Sequence, residues 1–159
     1  MITVLLFLIT PVLLLLFFRS TRENNEKRSS IKEKLESAAA NEFLPRTKKE
    51  FQWFILLSIT AGICEELLFR GFLIWYFESL TNTLIAAVLS SILFGLAHSY
   101  QGVTGIFRSG LMGIILALIL VWTDSLLILI FLHIAGDVYN GVIGWLGYGE
   151  FKNPTLKNS

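Results

Sequence analysis

Apolar residues run along the chain in five blocks, residues 1–18, 51–77, 83–100, 103–123 and 126–147, which are 18, 27, 18, 21 and 22 residues long. Each approaches or exceeds the ~20 residues that a helix rising 1.5 Å per residue needs to cross ~30 Å of hydrocarbon. The pattern predicts an all-α membrane protein, a polytopic bundle of about five transmembrane helices. Polar residues gather between the first two blocks. There Ser30 and Glu33 fit a capping box, and Ile31, Leu35 and Ala38 or Ala39 recur at helical spacing until Pro45. That spacing predicts a short amphipathic helix on the cytoplasmic surface, read as a solvated connection. The organisation that follows is an N-terminal anchor (1–18), a charged linker (19–50), a membrane core (51–147) and a C-terminal tail (148–159).

Composition supports this division. Of the 159 residues, 54% are hydrophobic and only 16% charged, whereas a water-soluble domain carries about a quarter charged. Residues 19–50 hold nine of the thirteen Lys and Arg, and residues 79–107 hold no Lys, Arg, Asp or Glu. With that linker on the cytoplasmic side, alternation brings Arg108, Lys152 and Lys157 to the same side. Twelve of thirteen basic residues then satisfy the positive-inside rule, with the N-terminus out and the C-terminus in. Trp53, Tyr100, Trp145 and Tyr148 fall at inner ends, and Trp75, Tyr76 and Trp122 at outer ends. The first block lacks a basic leading segment, contains Pro11 and is followed by Arg19 and Arg22, which reads as a retained anchor rather than a cleaved signal. A net charge of +1 offers no basic surface for nucleic acid. The single cysteine, Cys64, is read as packing. Glycines at 141, 144 and 147, and at 102, 105, 110 and 113, are read as close helix contacts.

Six ionisable residues stand within the second, third and fifth blocks: Glu65, Glu66, Arg70, His98, His133 and Asp137. A central charge costs about 2.5 to 3.5 kcal/mol on insertion scales, so these groups must pair, face a wet cavity, or both. Glu66 and Arg70, four apart, lie on one helix face and can meet directly. Glu65 is turned away from that pair, with Ala61 and Gly62 a turn before it, which leaves a carboxylate beside a gap as a candidate general base. Phe94 lies one turn before His98 on the stripe of Ser91. His133, Asp137 and Asn140 follow i, i+4, i+7 spacing and make one polar face on an apolar helix. At 1.5 Å per residue, Glu65, His98, His133 and Asp137 fall within roughly 10 Å in depth. A base, two imidazoles and an acid at one depth suit a hydrolytic site between helices, reached by water from the cytoplasmic side.

Other intramembrane designs fit poorly: there is no HExxH helix, no second Asp to partner Asp137 in an aspartyl dyad, and no glycine two positions before Ser109. The sequence Glu65-Glu66-Leu67-Leu68-Phe69-Arg70 looks like an EExxxR motif, Phe94-Gly95-Leu96-Ala97-His98 like FxxxH, and His133-Ile134-Ala135-Gly136-Asp137 like HxxxN/D. Three such motifs in this order resemble the CPBP intramembrane endopeptidases, also called the CAAX protease and bacteriocin-processing or Abi family. The resemblance implies that Glu65 and His98 activate water, that His133 and Asp137 stabilise the oxyanion, and that Glu66 and Arg70 hold the base. It implies as an alternative a divalent metal such as zinc, with Glu65, His98 and His133 as candidate ligands. With only two histidines in the chain, three-histidine coordination is impossible. Asp137 departs from the commoner Asn, since an ionised Asp only accepts; it is protonated, orients His133, or leaves the donor role to Asn140. The implied substrate is a membrane-associated or lipidated peptide or protein, in a cell membrane of bacterial type. The competing classes are a non-catalytic bacteriocin self-immunity or scaffold protein and a small proton-coupled carrier that uses Glu65 as its relay.

Overall fold

The computed structural model describes residues 2–36 and 43–149, all of whose regular structure is helical. The order is α1 (Ile2–Arg22), α2 (Asn25–Glu36), α3 (Lys48–Glu65), a π-helical segment (Glu66–Leu73), α4 (Ile74–Glu78), α5 (Thr83–Ala97), a 3₁₀ turn (Ser99–Gln101), α6 (Gly102–Thr123) and α7 (Leu126–Tyr148). Three continuous stretches among the described residues are long and apolar enough to cross a bilayer: Lys48–Glu78, Ser99–Thr123 and Leu126–Tyr148. The protein is an all-α membrane bundle. The third expected span is shorter than its apolar block, because α5 has 15 residues and reaches only about 22 Å. The charged tail beyond Gly149, with Lys152 and Lys157, lies outside the described residues, as do Ala38 and Ala39.

Two compact units divide the chain. In the unit Leu56–Asp137, Asn82 starts α5 by accepting the Ile85 amide at 3.0 Å. Asp124, in the left-handed region at φ 49°, ends α6. Helices α5 and α6 cross on small residues. A Cβ built on Gly95 would stand 2.7 Å from the Ile106 carbonyl oxygen and 3.1 Å from the Gly110 nitrogen, and one on Gly113 would meet the Ser91 Cβ at 3.1 Å. Such contacts bring backbones together where lipid supplies no hydrophobic driving force. Ile74, Ala86, Ala87 and Ala117 form a small apolar core beside Phe77 and Leu120.

The other unit comprises Ile2–Ile55 and Val138–Ser159. Trp145 stacks on Phe51 and Phe18 at centroid distances of 4.9 and 5.1 Å. The 141–144–147 glycine stripe receives neighbours: Phe54 lies over Gly141, Leu44 over Gly144, and Leu35 with Ile31 over Gly147. Two expectations for the linker change here. Helix α2 starts five residues before Ser30, capped by Asn24, whose Oδ1 accepts the Lys27 amide at 3.0 Å, so the Ser30–Glu33 box is not its start. Nor is α2 merely a solvated connection. Arg28 donates to the carbonyl oxygens of Leu146 and Gly149 at 3.0 and 2.6 Å, closing the C-terminal end of α7, whose last carbonyls have no helical partner.

Candidate active site

Every charged residue flagged inside an apolar block belongs to the unit Leu56–Asp137. The EExxxR stretch straddles a change of helix type: Glu65 is the last residue of α3, and Glu66 opens eight residues of π-helix. Mid-helix π segments are rare and tend to mark functional sites, since the wider turn re-aims side chains and frees backbone groups. One freed group is met from α5, where the Ser90 hydroxyl donates to the Phe69 carbonyl at 2.5 Å, both buried.

Glu66 and Arg70 pair as their spacing requires, Arg70 Nη1 lying 2.8 Å from Glu66 Oε1, with side chains 0 to 1% exposed. The same carboxylate oxygen accepts His133 Nδ1–H at 2.7 Å. Glu66 therefore holds the α7 imidazole. Because an ion-paired carboxylate only accepts, this bond puts the proton of neutral His133 on Nδ1 and leaves Nε2 facing away from Glu66. Arg70 also packs its guanidinium carbon 4.2 Å from the centre of the Phe94 ring.

His98 closes α5. Its backbone amide turns to the Gly95 carbonyl at 3.0 Å, one residue short of the α-helical partner. The Phe94 carbonyl is thereby left for the His98 ring, whose Nδ1 lies 2.8 Å from it. A carbonyl only accepts, so His98 too carries its proton on Nδ1 and directs Nε2 elsewhere.

Both Nε2 atoms converge on Glu65. Its Oε2 lies 3.6 Å from His133 Nε2 and 3.9 Å from His98 Nε2, and Asp137 Oδ2 lies 3.8 Å from His133 Nε2. Glu65 is about 30% exposed through its side chain, yet Oε2 is buried and accepts no hydrogen bond from the protein. The structure thus brings together Glu65, His98, His133 and Asp137 around one point, with Glu66 and Arg70 behind them. Asn140, on the same sequence stripe, is exposed.

Two readings of the surroundings, for Gly62 and Cys64, are corrected. Gly62 leaves no gap beside Glu65, for a Cβ there would stand 2.5 Å from Ile134 Cγ1; the small residue admits α7 and so delivers His133. Cys64 is exposed and not packed inside, because α3 turns it away from the bundle. Ser91 does not reach the site: its hydroxyl returns to the Ala87 carbonyl one turn back, at 2.7 Å. Sequence periodicity gave no sign of the π-helix or of Ser90, since both follow from which backbone groups are freed and what stands opposite them.

Among the described residues no group of three or more His, Cys, Asp or Glu side chains is arranged to hold a metal ion. As placed, Glu65 can transfer a proton and the imidazoles can form hydrogen bonds.

The model of the type II CAAX prenyl endopeptidase Rce1-like family matches residues 47–139, more than half of the chain. The chain belongs to that family. The match takes in α3 to α6 and most of α7, and includes every charged residue of the buried cluster. Membership places it in a protease family, and three of its helical stretches are long and apolar enough to cross a membrane. No curated protein and no solved structure matches the chain.

Proposed function

We propose that this protein is an intramembrane endopeptidase that hydrolyses a peptide bond in a membrane-associated or lipidated peptide, using water activated by Glu65 and His98. The observation that carries the reading is Glu65 Oε2, free of protein donors and flanked by two Nε2 atoms at 3.6 and 3.9 Å. A water held by Glu65 Oε2 and His98 Nε2 gives its proton to Glu65 as its oxygen attacks the carbonyl carbon. The oxyanion formed accepts a hydrogen bond from His133 Nε2. With Nδ1–H committed to Glu66, Nε2 donates only from the imidazolium, and Asp137 at 3.8 Å stabilises that cation in place of an amide donor. Glu65 then returns the proton to the departing amine as the C–N bond breaks, leaving a carboxylic acid and an amine. The family description points to prenylated CAAX peptides as the first substrates to try. In this reading the N-terminus is out, the C-terminus is in, and the site opens toward the cytoplasm of a bacterial cell.

The test is cleavage of prenylated and unprenylated CAAX peptides, and of a broader peptide library, by purified protein in liposomes. Glu65→Gln is nearly isosteric but takes no proton, so kcat should fall by at least about 10²-fold in a folded protein. Chelator treatment should leave the rate unchanged; loss of the rate on chelation would replace the direct mechanism with a metal-assisted one. Absence of cleavage of any peptide by the wild type, together with a protective effect that survives Glu65→Gln, would establish the immunity or scaffold role. Proton-driven flux without cleavage would establish a carrier.

A further inference from the structure

The buried charges are arranged around a residue that has no charge. Phe94 is 3% exposed, and its ring touches four side chains from three elements. Arg70 of the π-helical segment lies 4.2 Å from its centre, and Phe69 meets it edge-on at 5.1 Å. The ring centroid of His98, which caps α5, is 4.6 Å away, and that of His133 on α7 approaches edge-on at 5.9 Å. The backbone of the same residue supplies the carbonyl that accepts His98 Nδ1–H. Phe94 is thus in contact with both imidazoles and with the cation that neutralises Glu66.

We infer that Phe94 is a positioning residue for hydrolysis, its ring holding His98, His133 and Arg70 so that both Nε2 atoms face Glu65. The physical case rests on what each contact restricts. An imidazole fixed by one hydrogen bond can still swing about the bond to its ring, and a flat neighbour at 4.6 Å limits that swing for His98. A desolvated guanidinium over a ring face is attracted by the ring's quadrupole, which keeps Arg70 on Glu66 and so keeps Glu66 on His133. An aliphatic residue of similar volume fills the space but supplies neither a flat face nor a quadrupole. This inference rests on the proposed hydrolytic reading for its kinetic consequence, but its structural consequence can be read without any substrate.

The chain has two histidines, so a ¹⁵N-histidine-labelled sample contains two imidazoles, assigned with His98→Gln. In the wild type at neutral or mildly alkaline pH, both Nδ1 atoms should show the shift of a proton-bearing nitrogen. In Phe94→Leu and Phe94→Met, His98 should exchange between tautomers and the two Nδ1 signals should move toward intermediate values. Phe94→Tyr, which keeps the ring, should retain the wild-type pattern. In the cleavage assay kcat should fall at least about tenfold in the Leu and Met variants with KM within twofold, and recover in the Tyr variant. Thermal unfolding of each variant separates loss of fold from loss of alignment. Folded Leu and Met variants with wild-type ¹⁵N patterns would overturn the positioning role, and so would a Tyr variant no closer to wild type than Leu. If the wild type cleaves no peptide while the nitrogen pattern shifts as stated, the hydrolytic reading fails and the positioning by Phe94 stands.

Discussion

Glu66 does two jobs with one oxygen. Its Oε1 takes Arg70 at 2.8 Å and His133 at 2.7 Å in a fully buried setting. Removing only the cation, as in Arg70→Met, leaves a buried carboxylate without its counter-ion, a change that costs about 3 to 5 kcal/mol. Thermal unfolding in detergent should show that loss. The double variant Glu66→Leu/Arg70→Met should recover most of it, because an apolar pair of similar volume needs no neutralisation. It should not recover activity, since His133 loses the acceptor that orients it.

Glycines decide how closely helices approach, and so how well residues from different helices meet. A Cβ at Gly62 would stand 2.5 Å from Ile134 Cγ1 and 3.3 Å from the Ile134 nitrogen. Gly62→Ala should therefore push α7 away from α3, costing about 1 to 3 kcal/mol and separating His133 from Glu65. Cleavage by this variant should drop at least about tenfold, and trimming the neighbour in Gly62→Ala/Ile134→Ala should restore part of it. Gly95 offers no such relief, because its Cβ would meet the Ile106 carbonyl and the Gly110 backbone. Gly95→Ala should be the more destabilising of the two, with no side-chain truncation to rescue it. In the π-helical segment, Ser90→Ala strips the Phe69 carbonyl of its buried donor and should lower stability by about 1 to 3 kcal/mol.

At the scale of the whole chain, the distribution of polarity is the reverse of that in a water-soluble protein. Large apolar side chains lie on the outside, among them Trp122 at 83% exposure, Leu127 and Phe107, while Glu66 and Arg70 lie inside. A surface of that kind is stable only against lipid or detergent. The protein should stay with the membrane fraction after an alkaline wash that strips peripheral proteins, and should precipitate when detergent is withdrawn. Recovery in the soluble fraction would contradict the membrane assignment.

How much of this was legible beforehand follows from the range of each interaction. Apolar block length announced the helices, because crossing hydrocarbon imposes a length that any reader of the chain can count. The Glu66–Arg70 pair was equally readable, since residues four apart on a helix meet whatever surrounds them. The three motifs marked the other polar residues but could not say which one each would touch. That Glu66 serves His133, that Gly62 admits Ile134, and that α2 closes α7 through Arg28 all depend on groups far apart in sequence. The sequence by itself determined a helical membrane protein with a few charges that had to be satisfied. Only the tertiary structure decided their partners, because hydrogen bonds between helices depend on crossing distance and on the turn geometry of each helix, neither of which periodicity records.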